Sequence, residues 1–275
     1  MPIKFHTILI SDVHFGSPMC QARELHDFLS KLRVKVLILN GDIFEDLKFY
    51  RLQHWHWEAF GQIRKVSDHC KVVWIRGNHD TVDTKFMSHL LGVKVKKHYD
   101  WQVGSRRLYA THGDRWDVYI YKYRLLNELI TGIYNFLRGF SSKAMRSFTK
   151  FLKKKSKLLL RNHEAIFHNA VSFGKSLGVD AVFCGHTHFA ALEAESGLLY
   201  GNSGTWESDL PHFLGVNPDG VSLCRYLGRG RYEVVKKMAF TGAAEASLQK
   251  RYTAAPLPSP RKATLLPRPG LIHPV

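Results

Sequence analysis

The chain has 275 residues, 45% of them apolar and 23% charged. That composition excludes wholesale disorder and fits one large globular domain, or one domain with an insertion. A formal net charge of +17 points to an anionic surface or substrate, and without an uncharged apolar run of about 18 residues no membrane-spanning helix is expected.

The segment 4–11 (KFHTILIS) reads as a buried strand and not as a signal peptide, because no small-residue cleavage site follows it. A helix is expected over 20–33, a strand over 34–40 (VKVLILN), a helix over 52–68 and a strand over 70–77 (CKVVWIRG). Continuous apolar strands separated by helices argue for a central sheet covered on both faces. The aromatic-rich run His54, Trp55, His56 and Trp57 reads as helix packing. Further strands are expected at 93–98, 107–111, 180–184, 190–194, 198–201, 221–227 and 231–236, so the C-terminal third is strand-rich. Two facing sheets with helices outside satisfy this order.

Residues 116–178 break the pattern, with aromatics and aliphatics on a helical period and Gly132, Gly139 and Gly178 as punctuation. They read as two or three helices forming a lid. Residues 115–178 hold 13 Lys and Arg against 3 Asp and Glu, so the excess charge is concentrated there and in the tail. His163 and His168 lie five apart, not four, and read as helix-surface or core histidines. Residues 241–275 are rich in Ala, Pro and Ser and cannot bury a core, so a globular domain over 1–240 and a disordered basic tail are expected. Four scattered cysteines without a C-x-x-C pair read as mostly buried thiols in a reducing cytoplasm.

Five short motifs carry metal-binding chemistry: Asp12-x-His14, Gly41-Asp42, Gly77-Asn78-His79-Asp80, His112-Gly113-Asp114 and Gly185-His186-Thr187-His188. Each follows an apolar strand, the end at which open α/β sheets place ligands. One such motif is weak evidence; five together are hard to explain as surface polarity. Glycine allows the sharp turns that aim several side chains at one centre. Asp, Asn and His donors without thiolate suit Mn²⁺, Fe or Zn²⁺. They are too many for one tetrahedral site, and a shared carboxylate suits a two-metal centre.

In this order the motifs resemble those of the calcineurin-like metallophosphoesterases, over about residues 5–206. The resemblance implies a four-layer α/β/β/α sandwich with a helical lid insertion and two divalent ions, Mn²⁺ foremost. It implies Asp12, His14 and His188 at one ion, Asn78, His112 and His186 at the other, and Asp42 bridging both. His79 would be the phosphate-contacting general acid, oriented by Asp80. Asn78 and Asn202 would also meet substrate, with Gly201–Thr205 as a closing loop on the substrate side.

Within that family the chain is most similar to the branch of UDP-2,3-diacylglucosamine pyrophosphatases of lipid A synthesis, through its basic helical insertion and the GLLYGNSGTWES segment. It departs from that branch at His79, where those enzymes carry Arg. The implied reaction is hydrolysis of a lipid-linked diphosphate to UMP and a lipid monophosphate, by a cytoplasmic protein peripheral on the inner face of the membrane. The basic lid would contact the membrane surface, with Lys153, Lys154, Lys155 and Lys157 each contributing roughly 1 kcal/mol near anionic lipid. A metal-dependent phosphodiesterase or nuclease, with the lid tracking a nucleic-acid backbone, or a phosphatase of another phosphoester is the alternative.

Overall fold

The structure, a computed structural model, describes residues 2–46, 48–80, 84–117 and 157–240. Near the N-terminus β1 (Ile3–Lys4) pairs in parallel with β3 (Leu32–Arg33). The long apolar runs become β2 (Thr7–Ile10), β4 (Val36–Asn40) and β5 (Lys71–Ile75), joined by β6 (Lys94–Lys96), all parallel. β2 and β4 are buried along their whole length, as continuous apolar strands covered on both faces must be.

The chain then builds a second sheet from β7 (His98–Val103), β8 (Arg106–Thr111), β9 (Ala181–Cys184), β10 (Ala191–Glu195) and β11 (Leu198–Asn202), in the order β10-β11-β9-β8-β7. It returns to the first sheet with the antiparallel strands β12 (His212–Asn217), β13 (Gly220–Gly228) and β14 (Arg231–Ala239), giving seven strands in the order β14-β13-β12-β2-β4-β5-β6. The facing inner surfaces of the two sheets share one core that includes Leu9, Ile38, Val73, Trp101, Phe183 and Leu214.

Helices α1 (Ala22–Ser30) and α2 (His54–Ser67) cover the outer face of the seven-stranded sheet, with Met87 and Leu91 of α3 (Thr84–Leu91) in the same cluster. Helix α4 (Lys157–Leu177) covers the five-stranded sheet, packing Ala170 and Val171 on Tyr109, Val182 and Tyr200. The four layers are therefore helix, sheet, sheet, helix, as the motifs implied. Phe28 of α1 fixes one loop of the later site. Its ring lies 5.0 Å from Trp206 and 5.2 Å from Tyr226, and the Trp206 backbone N–H donates to the Asp12 carbonyl at 3.0 Å. Burying each such aromatic contributes roughly 1.5–3 kcal/mol.

The lid expected over 116–178 needs correcting. Its C-terminal third is the outer helical layer of the fold, with Ile166 and Ala170 fully buried. An apolar stripe opposite basic residues has the same sequence appearance whether it packs on a sheet or meets a bilayer. Residues 118–156, where the remaining lid helices are expected, and the tail 241–275 lie outside the described residues. The expected strand 93–98 divides into β6 and the start of β7, and β12 and α3 were not anticipated. Among the described residues no helix is long and apolar enough to cross a membrane.

Candidate metal centre

The five motifs occupy loops at the C-terminal ends of β2, β4, β5, β8 and β9, where the two sheets meet. Their backbone is unusual. Asp12 (φ 53°), His14 (53°), Asp42 (52°), His186 (68°) and His188 (56°) are all left-handed, and among the described residues only Ser196 and Arg229, both in turns, share this without being glycine. Such conformations cost of order 1–3 kcal/mol each and persist where the surroundings and function demand them. Gly41, at φ 91°, passes so close to His112 that a Cβ would land on the imidazole, and a Cβ on Gly77 would land on the Asp42 carboxylate.

These turns bring the donors into three groups: Asp12, His14 and His188; Asp42, His112 and His186; and His14, Glu45 and His79, the first and last sharing His14. In the first, His14 Nε2 and His188 Nε2 are 3.2 Å apart, and His188 Nε2 is 3.3 Å from Asp12 Oδ1. Both Asp12 oxygens also accept the His186 backbone N–H, at 3.1 and 3.0 Å. In the second, His112 Nδ1 donates to the Asn40 carbonyl at 2.9 Å, which leaves Nε2 as the free ring nitrogen, 3.1 Å from Asp42 Oδ2. His186 Nε2 bonds Asp117 Oδ2 at 2.7 Å, leaving its Nδ1 free.

Two observations show that this arrangement fits divalent ions. His186 Nδ1 is buried and lacks a hydrogen bond, and His112 Nε2 meets only the carboxylate of Asp42, the states in which ligand nitrogens wait for a cation. Spacings near 3 Å between donors are also those of neighbouring ligands on one ion, given metal–ligand bonds of about 2.0–2.2 Å.

The electrostatics agree. Burial opposes charge on His112, yet the adjacent Asp42, with Asp12 and the Asn40 carbonyl, raises its pKa to about 10. Burial likewise opposes charge on His14, which Glu45, Glu207, Asp12 and Asp42 raise to about 9. For Asp42 burial favours the neutral acid, but His112, His79 and His14 hold it well below the usual carboxylate range. Without an ion, protons take the place of positive charge.

Not every implied residue does what the resemblance assigned. Asp80 does not orient His79. Its Oδ1 accepts the backbone N–H groups of Ile43 and Phe44 at 3.0 and 3.1 Å, and its Oδ2 accepts Trp74 Nε1 and Gly77 N–H at 3.1 and 3.0 Å. A buried carboxylate with four donors is a brace for the loops after β4 and β5. His79 is instead oriented by the Glu45 carbonyl, which accepts its Nδ1–H at 3.0 Å, and its backbone N–H donates to Asp42 Oδ1 at 2.8 Å.

Asn202 is buried, with both ends of its amide engaged by the protein. Its amide donates to the Gly185 carbonyl at 2.7 Å and the Thr187 hydroxyl at 3.1 Å, and its Oδ1 accepts Gly204 N–H at 3.0 Å. Asn78 is exposed and lines a cavity of about 490 Å³ with Arg76, Lys97 and Arg115.

Three acids went unnoticed in the sequence. Glu45 pairs with His14 Nδ1 at 2.9 Å, Asp117 holds His186, and Glu207 accepts the Ser17 hydroxyl at 2.5 Å and lies 3.8 Å from His188 Nδ1. Glu45 and Asp117 each sit three residues from a motif and Glu207 follows the 201–205 loop, but only the fold shows which histidine each serves. His163 is buried against the Thr187 hydroxyl, at 3.5 Å, and His168 is exposed beside Glu195, as helix-surface and core histidines should be.

Comparison with known proteins gives three kinds of match. Residues 5–190 match the calcineurin-like phosphoesterase family. The DNA polymerase II small subunit of Thermoplasma acidophilum is 24% identical over 257 residues, covering 82% of this chain and 51% of that protein. The chain thus spans about half the length of the curated relative it matches. Among solved structures, Vps29 of Cryptosporidium parvum is 13% identical, covering 86% of this chain and 100% of that one, with a TM-score of 0.48. A predicted phosphoesterase of Streptococcus pneumoniae is 14% identical over 87% of this chain and 99% of its own, with a TM-score of 0.42. An archaeal phosphodiesterase is 14% identical over 85% and 98%, with a TM-score of 0.41. With the family matched across all five donor loops, up to and including His188, the chain belongs to the calcineurin-like phosphoesterases.

Proposed function

We propose that the chain is a two-metal hydrolase that cleaves the diphosphate of a nucleotide-sugar lipid of the UDP-diacylglucosamine type at the inner surface of the cytoplasmic membrane. The observation that carries this reading is the asymmetry around the donor loops. Beside Asn78 lies the cavity with Arg76, Lys97 and Arg115, suited to anionic phosphate. The loops bearing Ser17, His188 and Glu207 instead expose Met19, Phe189 and Leu210, suited to an acyl chain or bilayer interface. The charge excess of residues 115–178 adds attraction to anionic headgroups.

In this reading Asp12, His14 and His188 would hold one ion, Asn78, His112 and His186 would hold the other, and Asp42 would be shared between them, with Mn²⁺ as the favoured metal and Fe or Zn²⁺ as alternatives. Ions bound there supply charge neutralisation for the phosphoryl oxygens and activation of water. The chain's own residues do the rest. Asn40 and Asp117 fix the rings of His112 and His186 so that one nitrogen of each is left for metal. His79, held at Nδ1 by the Glu45 carbonyl, keeps Nε2 available to protonate the departing oxygen as general acid.

The test is Mn²⁺-dependent hydrolysis by purified protein of UDP-diacylglucosamine in detergent, bis-p-nitrophenyl phosphate and a single-stranded oligonucleotide. UMP release from the lipid far faster than turnover of the others supports the lipid substrate; an inert lipid removes it. The match to a DNA polymerase II small subunit supports a second reading, a nucleic-acid phosphodiester, for which oligonucleotide cleavage falling steeply with salt is expected.

A further inference from the structure

The cavity beside Asn78 is built differently from the rest of the basic surface. Arg76 extends from the end of β5, and Lys97 follows β6 on the neighbouring parallel strand, with the Arg76 N–H donating to the Lys96 carbonyl at 2.8 Å. Arg115 reaches the same space from the turn after β8, and His98 opens β7 with its ring stacked on Tyr109 at 5.3 Å. Cations thus converge from both sheets at their carboxyl ends, beside the donor loops.

Elsewhere the structure gives arginines acid partners: Arg51 with Asp46, Arg64 with Asp68, Arg106 with Asp180 and Arg225 with Glu233. Among the described residues no carboxylate pairs with Arg76, Lys97 or Arg115. Arg115 is held by aromatic rings, lying 4.9 Å above Trp116 and 4.4 Å from the centre of Phe173. Stacking and a side-chain hydrogen bond to Tyr109 hold the guanidinium while leaving its other N–H groups to a ligand. Two carboxylates line the cavity, Asp80 and Asp114, but both oxygens of Asp80 are taken by four donors. Asp114 remains against three cations. The volume, about 490 Å³, falls in the range of small-molecule sites, about 300–1,000 Å³.

We propose that this cavity is a recognition subsite for a second phosphate of the substrate, of nucleoside-monophosphate size, so that the preferred substrates are diphosphates and not simple diesters. The inference rests on the reading that the donor loops hydrolyse a phosphoester. Arg76 and Lys97 bind the phosphate not under attack, Arg115 adds a bidentate contact, and the metal loops address its neighbour.

The test uses the full chain loaded with Mn²⁺ and the doubly substituted variant Arg76→Ala, Lys97→Ala, with Arg115→Lys as a variant that keeps charge but loses the fork. UMP binding is measured by calorimetry, and hydrolysis of bis-p-nitrophenyl phosphate is followed separately. The expected result is that UMP binds the wild-type chain, that the double variant binds at least tenfold more weakly, and that Arg115→Lys is intermediate. Equal UMP affinity in wild type and double variant, or no UMP binding by wild type, overturns the subsite. UMP binding lost in the variant while wild type hydrolyses no phosphoester would instead sink the reading of the centre and leave an anion site standing.

Discussion

Asp117 Oδ2 lies 2.7 Å from His186 Nε2, so a carboxylate from the turn after β8 sets the ring of a histidine contributed by the loop after β9. Asn162 of α4 donates to the same oxygen at 2.8 Å, tying the outer helical layer to the centre. Such partners orient a ligand and raise its basicity. Asp117→Ala is therefore expected to weaken divalent-metal binding about 10–100-fold while the fold persists. Metal titration with circular dichroism checks this, and wild-type affinity in the variant would show that the contact does not position the ligand.

His79 and Asp80 are neighbours in sequence with separate jobs, and substitution should separate them. His79→Ala should keep metal content and stability but lose about 10²–10⁴-fold in turnover, the usual scale for removing a general acid. Asp80→Ala leaves four buried donors, on Ile43, Phe44, Trp74 and Gly77, without their acceptor. A loss of at least about 3 kcal/mol is expected, read as a lower denaturant midpoint. An Asp80→Ala protein as stable as wild type would contradict the bracing role.

The pH dependence follows from charge crowding at the centre. Without metal, His112 and His14 have pKa values of about 10 and about 9 against 6.5 unfolded. Their stabilisation is complete below 6.5 and is lost as pH rises through those values. Asp42, depressed, stabilises above its unfolded pKa and loses that contribution as pH falls. The chain in chelator should thus unfold more readily at about pH 9.5 than at about pH 6. Metal affinity should move the other way, because binding must displace those protons. Denaturant titrations in chelator and Mn²⁺ dissociation constants at both values check the opposed slopes, and parallel slopes would refute them.

The four cysteines are free, and none is an activated thiol. Burial raises Cys70 to about 11 and Cys224 to about 12, and pushes Cys20 and Cys184 higher still. A thiol reagent at about pH 8 should label the native chain slowly and all four sites after denaturation, since the thiolate is the reactive form. Rapid native labelling of one cysteine would identify a thiol that this burial does not describe.

The donor loops were legible because each follows a continuous apolar strand and ends in residues that serve metal better than they serve packing. Strand β7 hid its burial alternation behind Lys97, His98 and Asp100, and β12 hid behind Pro211 and Gly215. Gly215 is required there because the Phe5 ring occupies the place of its side chain. Helix α4 was misread because its apolar face says only that it packs on something. Asp80 looked catalytic and Asn202 looked substrate-binding because motif membership does not distinguish a ligand from the residue that braces its loop. Glu45, Asp117 and Glu207 carry no spacing signal, since their partners lie 31, 69 and 19 residues away in the chain.

Metal stoichiometry measured alongside phosphodiester turnover tests the central claim most directly. Stripped protein titrated with Mn²⁺ should take up two ions per chain, and bis-p-nitrophenyl phosphate hydrolysis should rise with occupancy. Asp42→Ala, which removes the carboxylate proposed to bridge, should lose both the ions and the activity. Full turnover in chelator, or an Asp42→Ala protein with wild-type metal content and rate, would contradict a two-metal phosphoesterase.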